Sequence, residues 1–413
     1  MQKQSPAYIT FPLGYSASGL HCGLKKNDAP DLALIISDCP AQFAGIYTTN
    51  LVKGHSLTRT IQIENQQAYT RGVTINSGNA NACVGPDGLT DADQIATSVS
   101  KALTSSTRSQ NTPCSPNDIL TCSTGVIGQR LPTKKILSAV DSLVSELSTD
   151  ETAGHRAMSA IMTTDLVPKE SAVSFTIDGK EVRLAGMAKG SGMIHPNMAT
   201  MISVLTTDAT IQAPLLKKSL KKVADKSFHR ITVDGDTSVC DTLLVFANGC
   251  SGTAEILEST PEYDLFLEAL STVCIDLARG LAKDGEGATK LVDVQITGAP
   301  TQKDALLILT AICRSPLCKT MFYGEDANIG RLMTAAGYSG ADFNPDLVDL
   351  YIGDLPVLRQ GVALPFDEAA AKELLHQDEF SITMALNAGT ISDHMWTCDF
   401  SYDYVKINGS YRS

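Results

Sequence analysis

Thr200 stands where a cut in the chain would create a catalyst. Residues 186–209 read Gly-Met-Ala-Lys-Gly-Ser-Gly-Met-Ile-His-Pro-Asn-Met-Ala-Thr-Met-Ile-Ser-Val-Leu-Thr-Thr-Asp-Ala. Three glycines (Gly186, Gly190, Gly192) and Pro196 lead into Ala199-Thr200, and small residues there leave the Ala199 carbonyl approachable. The β-branched run Ile202, Val204, Leu205, Thr206 and Thr207 predicts a buried strand that would hold a new N-terminus in place. In the intact chain the Thr200 nitrogen is an amide and no base. After cleavage it becomes an α-amine with a reference pKa of about 7.7–8.0, suited to take the proton of its own hydroxyl. Nucleophile and base then sit on one residue. Cleavage itself can use the same Oγ, by an N→O acyl shift at Ala199 and hydrolysis of the ester.

Other residues offer supporting chemistry. Ser123-Thr124-Gly125 follows a predicted strand, and Gly125 lets the backbone approach a ligand closely. Lys189, eleven residues before Thr200, can reach a carboxylate, and Glu286, between Gly285 and Gly287, can pair with an ammonium. Singly, such residues are more often turn or surface positions. His195 lies five residues before Thr200, and packing is its simpler role. Gly285-Glu-Gly-Ala-Thr-Lys290 lacks the spacing of a phosphate loop, and no G-x-S-x-G elbow is present.

The segment around Thr200 resembles the heart of the ornithine acetyltransferase (glutamate N-acetyltransferase) family. Further blocks carry the resemblance: Asn76-Ser-Gly-Asn-Ala-Asn-Ala-Cys83, Ser123-Thr-Gly-Val-Ile-Gly128 with Leu131-Pro132, Ala160-Ile-Met-Thr-Thr-Asp165 and Arg230-Ile-Thr-Val-Asp-Gly-Asp-Thr-Ser238. Asp284-Gly-Glu-Gly-Ala-Thr-Lys290, Lys319-Thr320, Gly324-Glu-Asp-Ala-Asn328, Gly330-Arg331 and Tyr404-Val-Lys-Ile-Asn408 with Tyr411-Arg412 follow in family order. Together they run from near residue 14 to the end of the chain.

The resemblance implies a four-layer α-β-β-α sandwich, the fold shared with self-processing aminopeptidases. It implies Thr200 as nucleophile, an oxyanion hole from the Thr124 hydroxyl and the Gly125 N–H, and substrate contacts at Thr163, Lys189, Thr200, Glu286, Asn408 and Ser413. The precursor would be cut between Ala199 and Thr200 into an α chain, 1–199, and a β chain, 200–413. Both would contribute to one core and assemble as a dimer of heterodimers. The implied reaction is ping-pong transfer of acetyl from N-acetylornithine to glutamate in arginine biosynthesis. It needs no metal or organic cofactor, and acetyl-CoA stays open as a second donor. A related amidohydrolase and a noncatalytic paralogue are the alternatives.

The chain departs from the family pattern at Lys53-Gly54-His55, at Val239-Cys240-Asp241 and at Ile329, and Ser413 replaces the common terminal threonine. None of these touches Thr200, Thr124, Gly125 or Lys189; they bear on the choice of acceptor.

The elements that must position these residues alternate between strand and helix. Strands are predicted at 31–37, 43–48, 72–76 and 118–122, and at 173–177 and 182–185 around the hairpin signal Asp178-Gly179. Val292, Val294 and Ile296 alternate as a half-buried strand. Helices are predicted at 91–103, 136–147, 214–228 and 263–281, and a surface loop at 104–117. No linker or repeat divides the order, so one continuous mixed α/β core is expected.

With 413 residues, 43% hydrophobic and 19% charged, the composition is that of a soluble globular protein. A net charge of −12 argues against nonspecific nucleic-acid binding. No apolar run approaches a membrane span, and the first residues lack a signal-peptide core, so a cytoplasmic protein is expected. The eleven cysteines are scattered without a C-x-x-C pair and read as reduced, buried small hydrophobes.

Overall fold

The β-branched run after Thr200 forms the strand Ile202–Thr207, with all six residues buried. It pairs antiparallel with Lys180–Lys189 and parallel with Thr242–Ala247, which makes it central. A strand covered on both faces needs side chains apolar or small on both, as Ile202, Val204 and Leu205 supply. The computed structural model describes residues 1–106, 113–195 and 201–409. They form two units, one of Met1–Gly190, Asn197–His229 and Thr237–Ala278, the other of Ser191–Pro196, Arg230–Asp236 and Arg279–Ser413.

The first unit holds a nine-stranded sheet. Its order is Gln2–Lys3, Lys169–Ile177, Lys180–Lys189, Ile202–Thr207, Thr242–Ala247, Leu32–Tyr47, Tyr69–Asn79 and Ile119–Val126, with Tyr15–Leu20 also paired to Leu32–Tyr47. The hairpin expected at Asp178-Gly179 is present, and both residues have positive φ, 49° and 74°, as its tight turn requires. The two strands expected at 31–37 and 43–48 are instead one strand, Leu32–Tyr47, whose register against Tyr69–Asn79 shifts between Ile36 and Ala41. Pro40, which has no N–H to give the ladder, lies in that irregularity.

Period-two alternation along Leu32–Tyr47 feeds two cores. Leu32, Leu34 and Ile36 pack with Ile95 and Val99 of helix Asp87–Ser105 and with Ile136, Val140 and Leu143 of helix Thr133–Ser145. Ala33 and Ile35, on the other face, share a core with Val73, Ile75 and Leu120 and with Met187, Ile202, Val204, Leu244 and Phe246. On the far side of that second set, Gly186 leaves room for Leu205, Val273 and Leu277, the last two on helix Pro261–Lys283. Helices Asp87–Ser105 and Thr133–Ser145 thus cover one set of strands and helix Pro261–Lys283 another, as in the α-β-β-α sandwich that the resemblance implied.

The second unit holds a seven-stranded sheet in the order Val362–Ala363, Leu355–Arg359, Asp349–Ile352, Glu379–Ala385, Leu291–Ala299, Ile391–Cys398 and Ile231–Thr232. Val292, Val294 and Ile296 are fully buried and pack with Ile308, Ile312, Met321 and Leu332 of the helices Gln302–Arg314, Pro316–Gly324 and Ile329–Gly337. The helix expected at 214–228 ends at Ala224. Asp225 follows, an acid at the negative end of the helix dipole, and a short 3₁₀ turn spans Phe228–Arg230. All eleven cysteines are free. Six are buried as expected, whereas Cys83 and Cys250 are exposed. Among the described residues no single helix is long and apolar enough to cross a membrane.

Candidate active site

In the first unit the strand Ile119–Val126 carries Thr124 and Gly125 just before its last residue. Gly125 has φ 129°, and a Cβ there would stand 2.3 Å from the Gly78 carbonyl carbon, so the backbone can be made only with glycine. Thr124 and Lys189 are both almost fully buried, and the Lys189 ammonium donates to Thr124 Oγ1 at 3.3 Å. Lys189 closes the strand Lys180–Lys189, where it pairs with Ile202.

Asp165 ties this corner together. Its Oδ1 accepts from Lys169 Nζ at 2.6 Å and from the Gly190 N–H at 2.7 Å, and its Oδ2 accepts from the Thr163 N–H at 2.9 Å. The Asp165 side chain is fully buried. Burial alone would raise its pKa, but the Lys189 and Lys169 charges and the Gly190 N–H hold it well below the usual carboxylate range. Burial pulls the Lys189 pKa down, and Asp165 opposes that shift.

The Met201 N–H, the first described group after Thr200, donates to Asp241 Oδ1 at 3.1 Å. Asp241 is completely buried. Burial pushes its carboxyl well above the usual range, despite the Met201 N–H and the Lys189 charge. Two departures from the family pattern meet here: the Gly54 N–H bonds the Val239 carbonyl, and a Cβ at Gly54 would stand 3.1 Å from Cys240 Sγ.

The second unit builds a separate group around Glu286. Its N–H donates to the Ser191 carbonyl at 2.8 Å, and Ser191 Oγ donates to the Asp284 carbonyl at 2.6 Å. Gly192 faces the carboxylate so closely that a Cβ would stand 2.2 Å from Glu286 Oε2. Asn408 Nδ2 donates to the same Oε2 at 2.8 Å. Asn408 ends the helix Tyr402–Asn408, which Ser401 caps by accepting from the Asp403 N–H. Ser401 also donates to the Gly287 carbonyl, and Asp399 accepts from the Thr289 and Lys290 N–H groups at 2.8 and 2.9 Å. These bonds dock the helix Tyr402–Asn408 and the turn before it on the loop that carries Glu286.

His195 Nδ1 stands 3.3 Å from Thr232 Oγ1. Burial and the nearby Arg314 charge push its pKa down to about 4, so the ring is neutral at neutral pH. Asp234 accepts from the Met193 and Ile194 N–H groups, which fixes the preceding turn.

Of the residues the sequence singled out, the first unit thus gathers Thr124, Gly125, Lys189 and, through Asp165, Thr163. The second gathers Glu286 and Asn408. Thr200, Ala199 and Ser413 lie outside the described residues. Sequence reasoning missed Asp165, Asp241 and Asp399. Asp165 carried a signal, a lysine four residues on, and Asp241 stood out only as part of a departure from the family pattern.

Comparison with known proteins agrees over nearly the whole length. The ArgJ family profile matches residues 16–413. Arginine biosynthesis bifunctional protein ArgJ of Symbiobacterium thermophilum is 45% identical over 407 residues, covering 98% of each chain. That of Caldanaerobacter subterraneus subsp. tengcongensis is 44% identical over 409 residues, again covering 98% of each. Among solved structures, arginine biosynthesis bifunctional protein argJ from Bacillus halodurans aligns with a TM-score of 0.49 and 40% identity, over 50% of this chain and 97% of that one. By family match and by identity to its relatives, the chain belongs to the ArgJ family.

Proposed function

We propose that this protein is a glutamate N-acetyltransferase of arginine biosynthesis, which moves acetyl from N2-acetyl-L-ornithine to L-glutamate after processing itself at Ala199–Thr200. The observation that carries the reading is the family match across residues 16–413, which takes in Thr200, Thr124-Gly125, Lys189, Glu286 and Asn408 together.

The freed Thr200 amine takes the hydroxyl proton while Oγ attacks the acetyl carbonyl. Thr124 and Gly125 donate to the oxyanion; losing one such donor typically costs about 2.7–4 kcal/mol of transition-state stabilisation. The acetyl C–N bond breaks, the proton passes to the departing ornithine amine, and an acetyl ester remains on Oγ. The glutamate amine then attacks the ester and restores the hydroxyl. Lys189 supplies a cation for a substrate carboxylate, and the Glu286–Asn408 pair a carboxylate for an ammonium. The steps use side chains and the freed amine, with acetyl-CoA as a candidate second donor.

Cleavage would leave the α and β chains interlocked, because Ile202–Thr207 and Thr242–Ala247 lie in the same sheet as strands that precede residue 200. We propose that the paired chains dimerise as heterodimers in the cytoplasm. The test is incubation with N-acetylornithine, with and without glutamate. N-Acetylglutamate should form, and Thr200→Ala should abolish both cleavage and transfer. Acetate release indifferent to glutamate would mark a hydrolase instead.

A further inference from the structure

Lys189 is paired with the wrong kind of group for a residue that only binds carboxylate. Among the described residues its ammonium finds one acceptor, the Thr124 hydroxyl oxygen, at 3.3 Å and out of solvent. An ammonium can only donate, so this bond occupies a lone pair of Oγ1 and leaves the Thr124 proton for another acceptor. A cation on the oxygen also makes that O–H a stronger donor. Behind Lys189, Asp165 bonds the Gly190 N–H and so fixes the backbone next to the lysine, while its buried charge favours the ammonium form.

We propose that Asp165 and Lys189 are positioning residues that orient and polarise the Thr124 hydroxyl toward the oxyanion. This rests on the reading of Thr124 as an oxyanion donor. It extends that reading, because Lys189 then acts on the transition state as well as on a bound carboxylate. The two roles separate cleanly in kinetics. A contact made equally to substrate and transition state changes KM alone, whereas one that strengthens the oxyanion hole changes kcat.

The experiment compares two acetyl donors on the processed enzyme: N-acetylornithine, which has a carboxylate, and p-nitrophenyl acetate, which has none. Lys189→Met removes a buried charge and leaves Asp165 paired with Lys169, so the variant keeps a balanced interior. It should lower kcat by about tenfold to a hundredfold with both donors, short of the full loss of an oxyanion donor. In a Thr124→Val background the same substitution should cost nothing further with the aryl ester, since the group it acts through is gone. The double variant Asp165→Asn with Lys169→Met reaches the same device without touching Lys189, and should slow both donors too.

A Lys189→Met enzyme impaired only with N-acetylornithine, or one whose effect adds fully to Thr124→Val, would overturn the relay. If the wild type is acetylated by the aryl ester but not by N-acetylornithine, the proposed substrate is wrong. The relay is still read on the ester in that case.

Discussion

Asp241 Oδ1 lies 3.1 Å from the amide nitrogen of Met201, the residue that follows Thr200. The bond is buried, and Oδ2 makes no hydrogen bond of good geometry among the described residues, although the Thr48 hydroxyl and the Ser238 amide lie near enough to ease its ionisation. Burial penalises the charge of this carboxyl, so an amide of the same shape can stand in its place. Asp241→Asn should therefore still accept from Met201 and leave self-cleavage within about threefold of wild type. Asp241→Ala strands a buried donor at a typical cost of about 1–3 kcal/mol and should slow cleavage at least tenfold. Time courses of intact mass after expression read both outcomes; equal rates for the two variants would remove Asp241 from the positioning of Met201.

The Glu286–Asn408 pair gives a prediction on binding. Asn408→Ala frees one oxygen of the carboxylate and removes the bond that orients it. KM for N-acetylornithine should rise about tenfold, the loss of one charge-assisted bond, with kcat changing far less. Steady-state kinetics at saturating glutamate would show it. An unchanged KM would mean that the pair serves only to dock the C-terminal helix.

Gly192→Ala should mimic that loss from the other side. Its Cβ would fall on Glu286 Oε2, the far end of a flexible side chain, so the carboxylate can swing aside. The variant should fold and yet bind substrate more weakly. Gly125→Ala differs, because backbone on both sides leaves nothing to yield and φ is positive. A destabilisation of roughly 2–4 kcal/mol is expected there, measurable by urea unfolding.

His195 bears on acid stability. Its pKa falls from about 6.5 in the unfolded chain to about 4 in the folded one, so between those values the unfolded state binds the extra proton. Stability contributed by the neutral ring is complete above pH 6.5 and is lost as pH falls toward 4. His195→Gln should flatten the stability–pH curve in that window, after subtraction from wild type. Asp234, raised to about 6 by burial, works in the opposite sense in both proteins and cancels in the comparison.

Local signals were the legible part. Asp178-Gly179 specified its hairpin, and the β-branched residues 202–207 specified a central strand. The strands of the second unit carried signals as well, since Gly353-Asp354 joins Asp349–Ile352 to Leu355–Arg359. Those strands are only four and five residues long, too short for alternation to stand out. The first unit's site was legible as motifs and not as geometry. Nothing in the order of residues says that Lys189 meets Thr124, 65 positions away, or that Asp241 meets Met201. Such pairings are set by which strands neighbour one another, and parallel neighbours such as Ile202–Thr207 and Thr242–Ala247 are joined by long connections that leave no local trace.

The most direct measurement is the intact mass of purified protein incubated with N-acetylornithine alone and then with glutamate. A β chain that begins at Thr200 should gain one acetyl group in the first step and lose it to glutamate in the second. An uncut 43.9 kDa chain that still transfers acetyl, or a processed enzyme that transfers it without ever carrying it on Thr200, would contradict the nucleophile and the two-step route together.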